Sequence, residues 1–133
     1  MPVLSTDPRD RAVLDAALES RRVVVCLCAA WCDTCEEFKG TFARLADADP
    51  QSAYVWIDIE DDSELVGDLD IENFPTLAVF RGGTPLFYGV TLPQEAVVAR
   101  TLAAVRADAP VQKNIPEAIA VLPRALKSRQ PGR

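Results

Sequence analysis

Ala30-Trp31-Cys32-Asp33-Thr34-Cys35-Glu36-Glu37-Phe38 sets two cysteines three positions apart, between an apolar run (Val23 to Leu27) and a stretch of helical spacing. A C-x-x-C at a strand-to-helix junction is a specific arrangement. The strand carries the first sulfur to the surface. The helix N-terminus beside it supplies unpaired backbone N–H groups and the positive end of a dipole. Both favour a thiolate, the reactive form of the side chain. The second sulfur follows about one turn later, near enough to close a disulfide. A pair so placed can take up or give away two electrons, so redox chemistry is the first expectation.

The 133 residues suit one domain with a hydrophobic core of its own. Hydrophobic residues at 49% and charged residues at 26% place the chain with ordinary globular proteins. Nothing approaches the roughly 20 consecutive apolar residues of a membrane helix, so no membrane partner is expected. The start, Met1-Pro2-Val3-Leu4-Ser5-Thr6-Asp7-Pro8, lacks the basic and apolar segments of a signal peptide. Taken as the native start, it predicts a cytoplasmic protein. There, paired cysteines read as redox-active or metal-binding rather than as structural staples. The net charge of −6 argues against nucleic acid as a partner. The charge is uneven: residues 1–107 hold 18 acids and 9 bases, whereas residues 108–133 hold 2 acids and 5 bases. Histidine is absent, which excludes Ser-His and Cys-His catalysis and any imidazole zinc site.

Outward from the cysteines, Val23-Val24-Val25-Cys26-Leu27-Cys28 reads as a central strand, apolar on both faces. Before it, Pro2 to Leu4 suit a short edge strand. Thr6 or Asp7 caps a helix from about Pro8 to Ser20 that buries Val13, Leu14, Ala17 and Leu18 and ends at Arg21-Arg22. After it, a helix runs from about Cys32 to Ala48 with Phe38, Phe42 and Leu45 on one side and Gly40 as a site of weakness or a kink. Ala53 to Ile59 is a second central strand. Asp58 to Glu72 carries eight acids and no base, and Leu65, Val66, Leu69 and Ile71 suggest a short helix within it. Asn73-Phe74-Pro75-Thr76 turns into a strand, Leu77 to Phe80. Arg81-Gly82-Gly83-Thr84 then turns into another, Pro85 to Val90. A helix from about Pro93 to Arg106 presents Ala96, Val97, Leu102 and Val105. The order β-α-β-α-β-α-β-β-α implies an α/β protein, a mixed sheet sandwiched between helices.

Trp31-Cys32-x-x-Cys35, the Phe74-Pro75-Thr76 step before a strand, the Gly82-Gly83 turn and Gly89 together resemble the thioredoxin family over roughly residues 2 to 107. The resemblance implies a thioredoxin-like three-layer sandwich over residues 1–107; residues 108–133 lie beyond the family core and read as an extension of a short helix and a basic tail. It implies thiol–disulfide exchange: Cys32 attacks a substrate disulfide, and Cys35 resolves the mixed disulfide and releases reduced product. It also implies that Trp31 shields the pair and lines a docking groove. By the same resemblance Pro75 follows a cis bond, and the backbone of Phe74 pairs with the substrate chain. No cofactor and no metal are implied. The partners would be protein disulfides and a thioredoxin reductase or another dithiol donor, and the chain would act as a monomer.

Several residues depart from the family pattern. Asp33-Thr34 stands between the cysteines in place of Gly-Pro, a pair known in the family to tune reduction potential. Asp33, Glu36 and Glu37 put carboxylates near Cys32, so the thiolate should be less favoured than bare geometry suggests. Cys26 occupies the place of a buried aspartate that handles protons for the resolving thiol, and Trp56 that of a lysine on the next strand. Asp33, Thr34 and Cys26 are therefore the modulating residues. Gly40 replaces a helix-kinking proline. Cys35-Glu36-Glu37-Phe38 with Thr41-Phe42 also resembles the thioredoxin-like domain of transmembrane thiol–disulfide transporters.

For Cys26 and Cys28, on one face of their strand, core packing is the preferred reading, with a third redox thiol and zinc as alternatives. A four-sulfur zinc site is disfavoured because one pair lies inside a strand. The acidic stretch reads first as a solvated face and second as a selector of basic partners. Trp56 and Phe74 read as packing residues. In the tail, Ile115, Ile119, Val121, Leu122 and Leu126 predict a helix after Pro116 docked on the body, ending in a basic tip at Lys127, Arg129 and Arg133. The functional expectation is a reductase of protein disulfides. The rival is a thioredoxin-fold interaction or chaperone module with little redox turnover, and a third class is a metal-binding protein.

Overall fold

β-branched, unbroken apolar residues make Val23 to Cys28 the natural centre of a sheet, and that is where they lie. The computed structural model describes residues 3–29, 32–60, 65, 75–105 and 115–127. Strands β1 (Arg22–Cys28), β2 (Ser52–Asp58), β3 (Thr76–Arg81) and β4 (Thr84–Val90) form one sheet in the order β2-β1-β3-β4. β1 runs parallel to β2 and antiparallel to β3, and β3 pairs antiparallel with β4. Leu4 extends the sheet past β2: its N–H donates to the Tyr54 carbonyl (2.7 Å) and its carbonyl accepts from Trp56 (2.9 Å). Helices α1 (Arg11–Ser20), α2 (Asp33–Ala48), α3 (Glu95–Ala104), α4 (Glu117–Ala120) and α5 (Leu122–Lys127) complete the described elements. This is the expected mixed sheet flanked by helices.

The two-residue alternation of β1 divides the core. Val23, Val25 and Leu27 face a cluster with Leu14 and Leu18 of α1 and Ile119, Leu122 and Leu126 of α4 and α5. Val24, Cys26 and Cys28 face the opposite cluster, with Cys35, Phe38 and Phe42 of α2 and Val98 and Leu102 of α3. The tail segment after Pro116 is thus part of one core layer, and Ile119 and Leu122 are fully buried. Ile119→Ala is expected to lower unfolding stability by about 3 kcal/mol through lost transfer energy and a residual cavity, as read by urea denaturation.

Some expected faces are corrected. Asp7 caps the chain as expected, accepting from the Arg9 N–H (3.0 Å), but the first turn is a 3-10 turn, Pro8–Asp10, before α1. Val13 is 46% exposed rather than buried. It sits about 100° round from Leu14 on the flank of the stripe that Leu14, Ala17 and Leu18 define. On α3 the buried residues are Val98 and Leu102, with Val105 just after, at i, i+4 and i+7, while Ala96 is exposed and Val97 half-buried. α2 continues through Gly40, which is exposed, so its missing side chain removes no core contact. The Gly82-Gly83 turn has φ of 56° and 84°, left-handed values that glycine adopts without strain and that two-residue hairpins require. Of the proposed acidic helix only Leu65 is described, and it is buried with the α1 layer. Residues 61–64 and 66–72 of that segment, and Arg129 and Arg133 of the basic tip, lie outside the described residues.

Candidate functional site

β1 ends at Cys28, and the Cys32 N–H donates to the Ala29 carbonyl (3.1 Å). Cys32 has extended backbone (φ −89°, ψ 119°) and occupies the cap position of α2, its carbonyl accepting from the Glu36 N–H (3.1 Å). Its side chain makes no capping bond. The sulfur therefore sits where the first backbone N–H groups of the helix point outward and the dipole is positive. Cys32 is partly exposed, with the exposed side chains of Asp33, Glu36 and Glu37 in the same turn. Glu36 is drawn to Lys39 (3.0 Å), whose ammonium lies 5.8 Å above the Trp56 ring. Thr34 is half-buried.

Cys35, one turn further, is 1% exposed. The expected pairing joins Cys35 to Cys32. In the structure Cys35 is instead disulfide-bonded to Cys28, with Cα atoms 5.8 Å apart, and Cys32 is free. Packing alone is thus not the role of Cys28. The cause is the strand period: Cys26 and Cys28 project toward α2, and Cys28, at the strand end, stands directly behind the first turn of that helix. Cys26 is fully buried, its sulfur 3.8 Å from that of Cys28, and burial pushes its thiol pKa well above the ordinary value. Three sulfurs form one buried group and the fourth stands at the surface. The signal in the sequence was the C-x-C alternation before the C-x-x-C.

The β1–β2 register sets Cys26 beside Trp56. The places of the family's buried aspartate and lysine are therefore neighbours here, and neither can ionise usefully at neutral pH. Trp56 packs on Phe38 and Phe42, with ring centroids 6.5 and 5.8 Å away, as a packing residue would.

Leu27 pairs with Thr76 across β1 and β3, which brings Pro75 to the same sheet end as Cys28 and the start of α2. Pro75 is buried, and its carbonyl accepts from the Thr91 N–H (3.1 Å). Trp31 and Phe74, and with Phe74 the bond to Pro75, lie outside the described residues. Flanking Thr91, Val90 and Leu92 are 57% and 62% exposed, an apolar rim next to Pro75 that sequence reasoning missed because exposure at a strand end depends on what the fold leaves uncovered. Among the described residues no group of three or more Cys, Asp or Glu side chains is placed to hold a metal ion, and no helix is long and apolar enough to cross a membrane.

A mixed sheet between helix layers, with a C-x-x-C at the mouth of the helix after its central strand, defines a thioredoxin-like protein. The sequence pattern of the thioredoxin family matches residues 3–104, and the chain belongs to that family. It is similar to protein disulfide-isomerase A4 of Mus musculus, 30% identical over 76 residues that cover 54% of this chain and 12% of that one. Thioredoxin of Mycoplasma genitalium is 29% identical over 63 residues, covering 47% of this chain and 62% of the other. This chain thus spans only a small part of the disulfide isomerase and under two thirds of the thioredoxin. The fold resembles the structure of Fasciola hepatica thioredoxin, with a TM-score of 0.64, 21% identity, and coverage of 80% of this chain and 100% of that one. Family membership and the cysteines at this site support a thiol–disulfide oxidoreductase in general terms.

Proposed function

We propose that this protein is a cytoplasmic, monomeric reductase of protein disulfides working through Cys32 and Cys35. The observation that carries the reading is the asymmetry of the pair: Cys32 stands half-exposed at the cap of α2, and Cys35 lies buried one turn behind it. The Cys32 thiolate attacks one sulfur of a substrate disulfide, and the other sulfur leaves as a thiolate. The Cys35 thiolate then attacks the Cys32 sulfur. The second substrate sulfur leaves, and the two electrons of the dithiol have passed to the substrate. A dithiol donor, such as a thioredoxin reductase, restores the pair. Asp33, Thr34 and Cys26 set the electrostatics and proton handling around these sulfurs. Trp31, Phe74 and Pro75 receive the substrate chain, and the exposed Val90 and Leu92 beside Pro75 suit its apolar side chains.

Reduction of insulin with a dithiol as donor tests the reading. Turnover is expected for the native chain and is expected to vanish in Cys32→Ser. Undiminished turnover in that variant would overturn the assignment, and partner binding without any turnover would favour the interaction-module alternative.

A further inference from the structure

The four cysteines are not two independent pairs, because Cys35 is bonded to Cys28 and is also the second cysteine of the C-x-x-C that begins at Cys32. Cys32 lies three residues before it, at the cap of the same helix and about one turn away. Cys28 lies behind it, with Cα atoms 5.8 Å apart, inside the range a disulfide allows. Only one of these bonds can exist at a time, and the structure holds the inner one. We propose that Cys28 is a third redox cysteine, which takes over the disulfide left on Cys32 and Cys35 after substrate reduction and stores it in the core. This rests on the reductase reading for the source of that disulfide.

The step balances without any further reagent. The Cys28 thiolate attacks the Cys35 sulfur, the Cys28–Cys35 bond forms, the Cys32–Cys35 bond breaks, and Cys32 leaves as a thiolate. A proton lost at Cys28 is matched by one gained at Cys32, and no electron enters or leaves. The Cys26 thiol, 3.8 Å from the Cys28 sulfur, is placed to donate to that sulfur when it is anionic. Burial keeps Cys26 protonated for the task.

Exposure gives the transfer its consequence. Cys28 and Cys35 are 0% and 1% exposed, so a thiol from outside does not reach their bond. Cys32 is the one partly exposed cysteine of the four. Reduction of the stored disulfide therefore runs backward through it: Cys32 attacks Cys35, Cys28 leaves, and the bond returns to the surface. While the bond is stored, Cys32 is a free thiol with no resolving partner.

The connectivity can be read directly. Trypsin leaves all four cysteines on one peptide, residues 23–39, but chymotryptic cleavage after Trp31 parts Cys28 from Cys32 and Cys35. Reduced native protein is mixed with excess insulin, quenched with acid at intervals, alkylated, cleaved and mapped by mass. The expected course is an early bond within the Cys32–Cys35 peptide, replaced by a cross-link from Cys28 to Cys35 with Cys32 alkylated. A bond that stays between Cys32 and Cys35, with Cys28 alkylated throughout, overturns the proposal. In Cys32→Ser the Cys28–Cys35 cross-link should form at least about tenfold more slowly with insulin, and an unchanged rate overturns the role of Cys32 as the point of entry. Oxidation of the native protein by diamide, a small oxidant, reads the pairing independently of any reductase activity. A Cys28–Cys35 link supports the proposal and a Cys32–Cys35 link overturns it, while failure of the reductase reading appears separately as insulin left unreduced.

Discussion

A Cys35→Ser chain is expected to stop halfway through the cycle, accumulating a mixed disulfide between Cys32 and its substrate. The nucleophile is untouched, so the first attack proceeds at its native rate. What is lost is the intramolecular second attack. A neighbouring thiol held one turn away acts at an effective concentration far above that of any thiol in solution. With a millimolar external donor left to do the work, insulin turnover should fall by at least about a thousandfold. Cys28 does not rescue it, because that sulfur lies behind Cys35 in the core and is 0% exposed. A non-reducing gel should therefore show near-complete conversion of Cys35→Ser to the adduct with insulin. Cys28→Ala should show turnover and no lasting adduct, since Cys35 remains free to resolve. If Cys35→Ser cycles at the native rate, Cys35 is not the resolving thiol.

The architecture was legible in the sequence because its strongest signals are local and redundant. Val23 to Leu27 cannot be solvated on either face, which places β1 at the centre of the sheet. Gly82-Gly83 between two apolar runs fixes the β3–β4 turn. Leu14 with Leu18, and Phe38 with Phe42, announce helices with one buried face each. The errors are errors of phase: Val13 lies on the flank of a buried stripe and Ala96, two residues before Val98, on the far side of its helix, and a window of apolar residues does not say which of them faces inward.

The site was half legible for a different reason. Cys32 and Cys35 are joined by a spacing that any helix turns into proximity, so four consecutive residues suffice to read them. Cys28 meets Cys35 only because a strand end and a helix start are stacked by the tertiary fold, and a small apolar side chain in a strand reads as packing. The alternation that puts Cys26 and Cys28 on one face was visible, whereas the element covering that face was not. The same holds for Val90 and Leu92, whose exposure depends on what the sheet edge leaves uncovered.

Arg22 shows how far a correct local rule can travel, and it yields the second large effect. A cation near a helix C-terminus was read as closing α1. Its guanidinium instead reaches the C-terminal ends of two other helices, donating from one nitrogen to the carbonyls of Leu102 (2.6 Å), in the last turn of α3, and Val105 (2.7 Å), just after it. The other terminal nitrogen donates to the carboxylate of Asp49, the residue that follows α2 (2.7 Å), and Nε donates to the Ser52 hydroxyl (2.9 Å). One side chain, largely buried, thus ties the start of β1 to the ends of α2 and α3, far from the cysteines. Arg22→Met leaves two carbonyls and a carboxylate without their partner and should cost about 3 kcal/mol of stability. In a chain of this size that lowers Tm by about 10 °C. The loss should depend on pH in one direction. Burial alone would raise the Asp49 pKa, but hydrogen bonds from Arg22, Ser52 and Tyr54 and the guanidinium charge outweigh it and hold it below the ordinary carboxylate value. A carboxylate depressed in the folded state contributes stability that is present above its unfolded pKa, about 3.9, and fades as pH falls through the folded one. The gap between native and Arg22→Met chains should therefore be constant from about pH 7 to pH 5 and narrow below about pH 4. It should not close, because the bonds to Leu102, Val105 and Ser52 do not titrate. Asp49→Asn should remove the acid-sensitive part alone, at about 1 kcal/mol. Urea unfolding of the three chains across that pH range measures both quantities, and a gap that widens in acid would show that Arg22 stabilises the fold without help from the Asp49 charge.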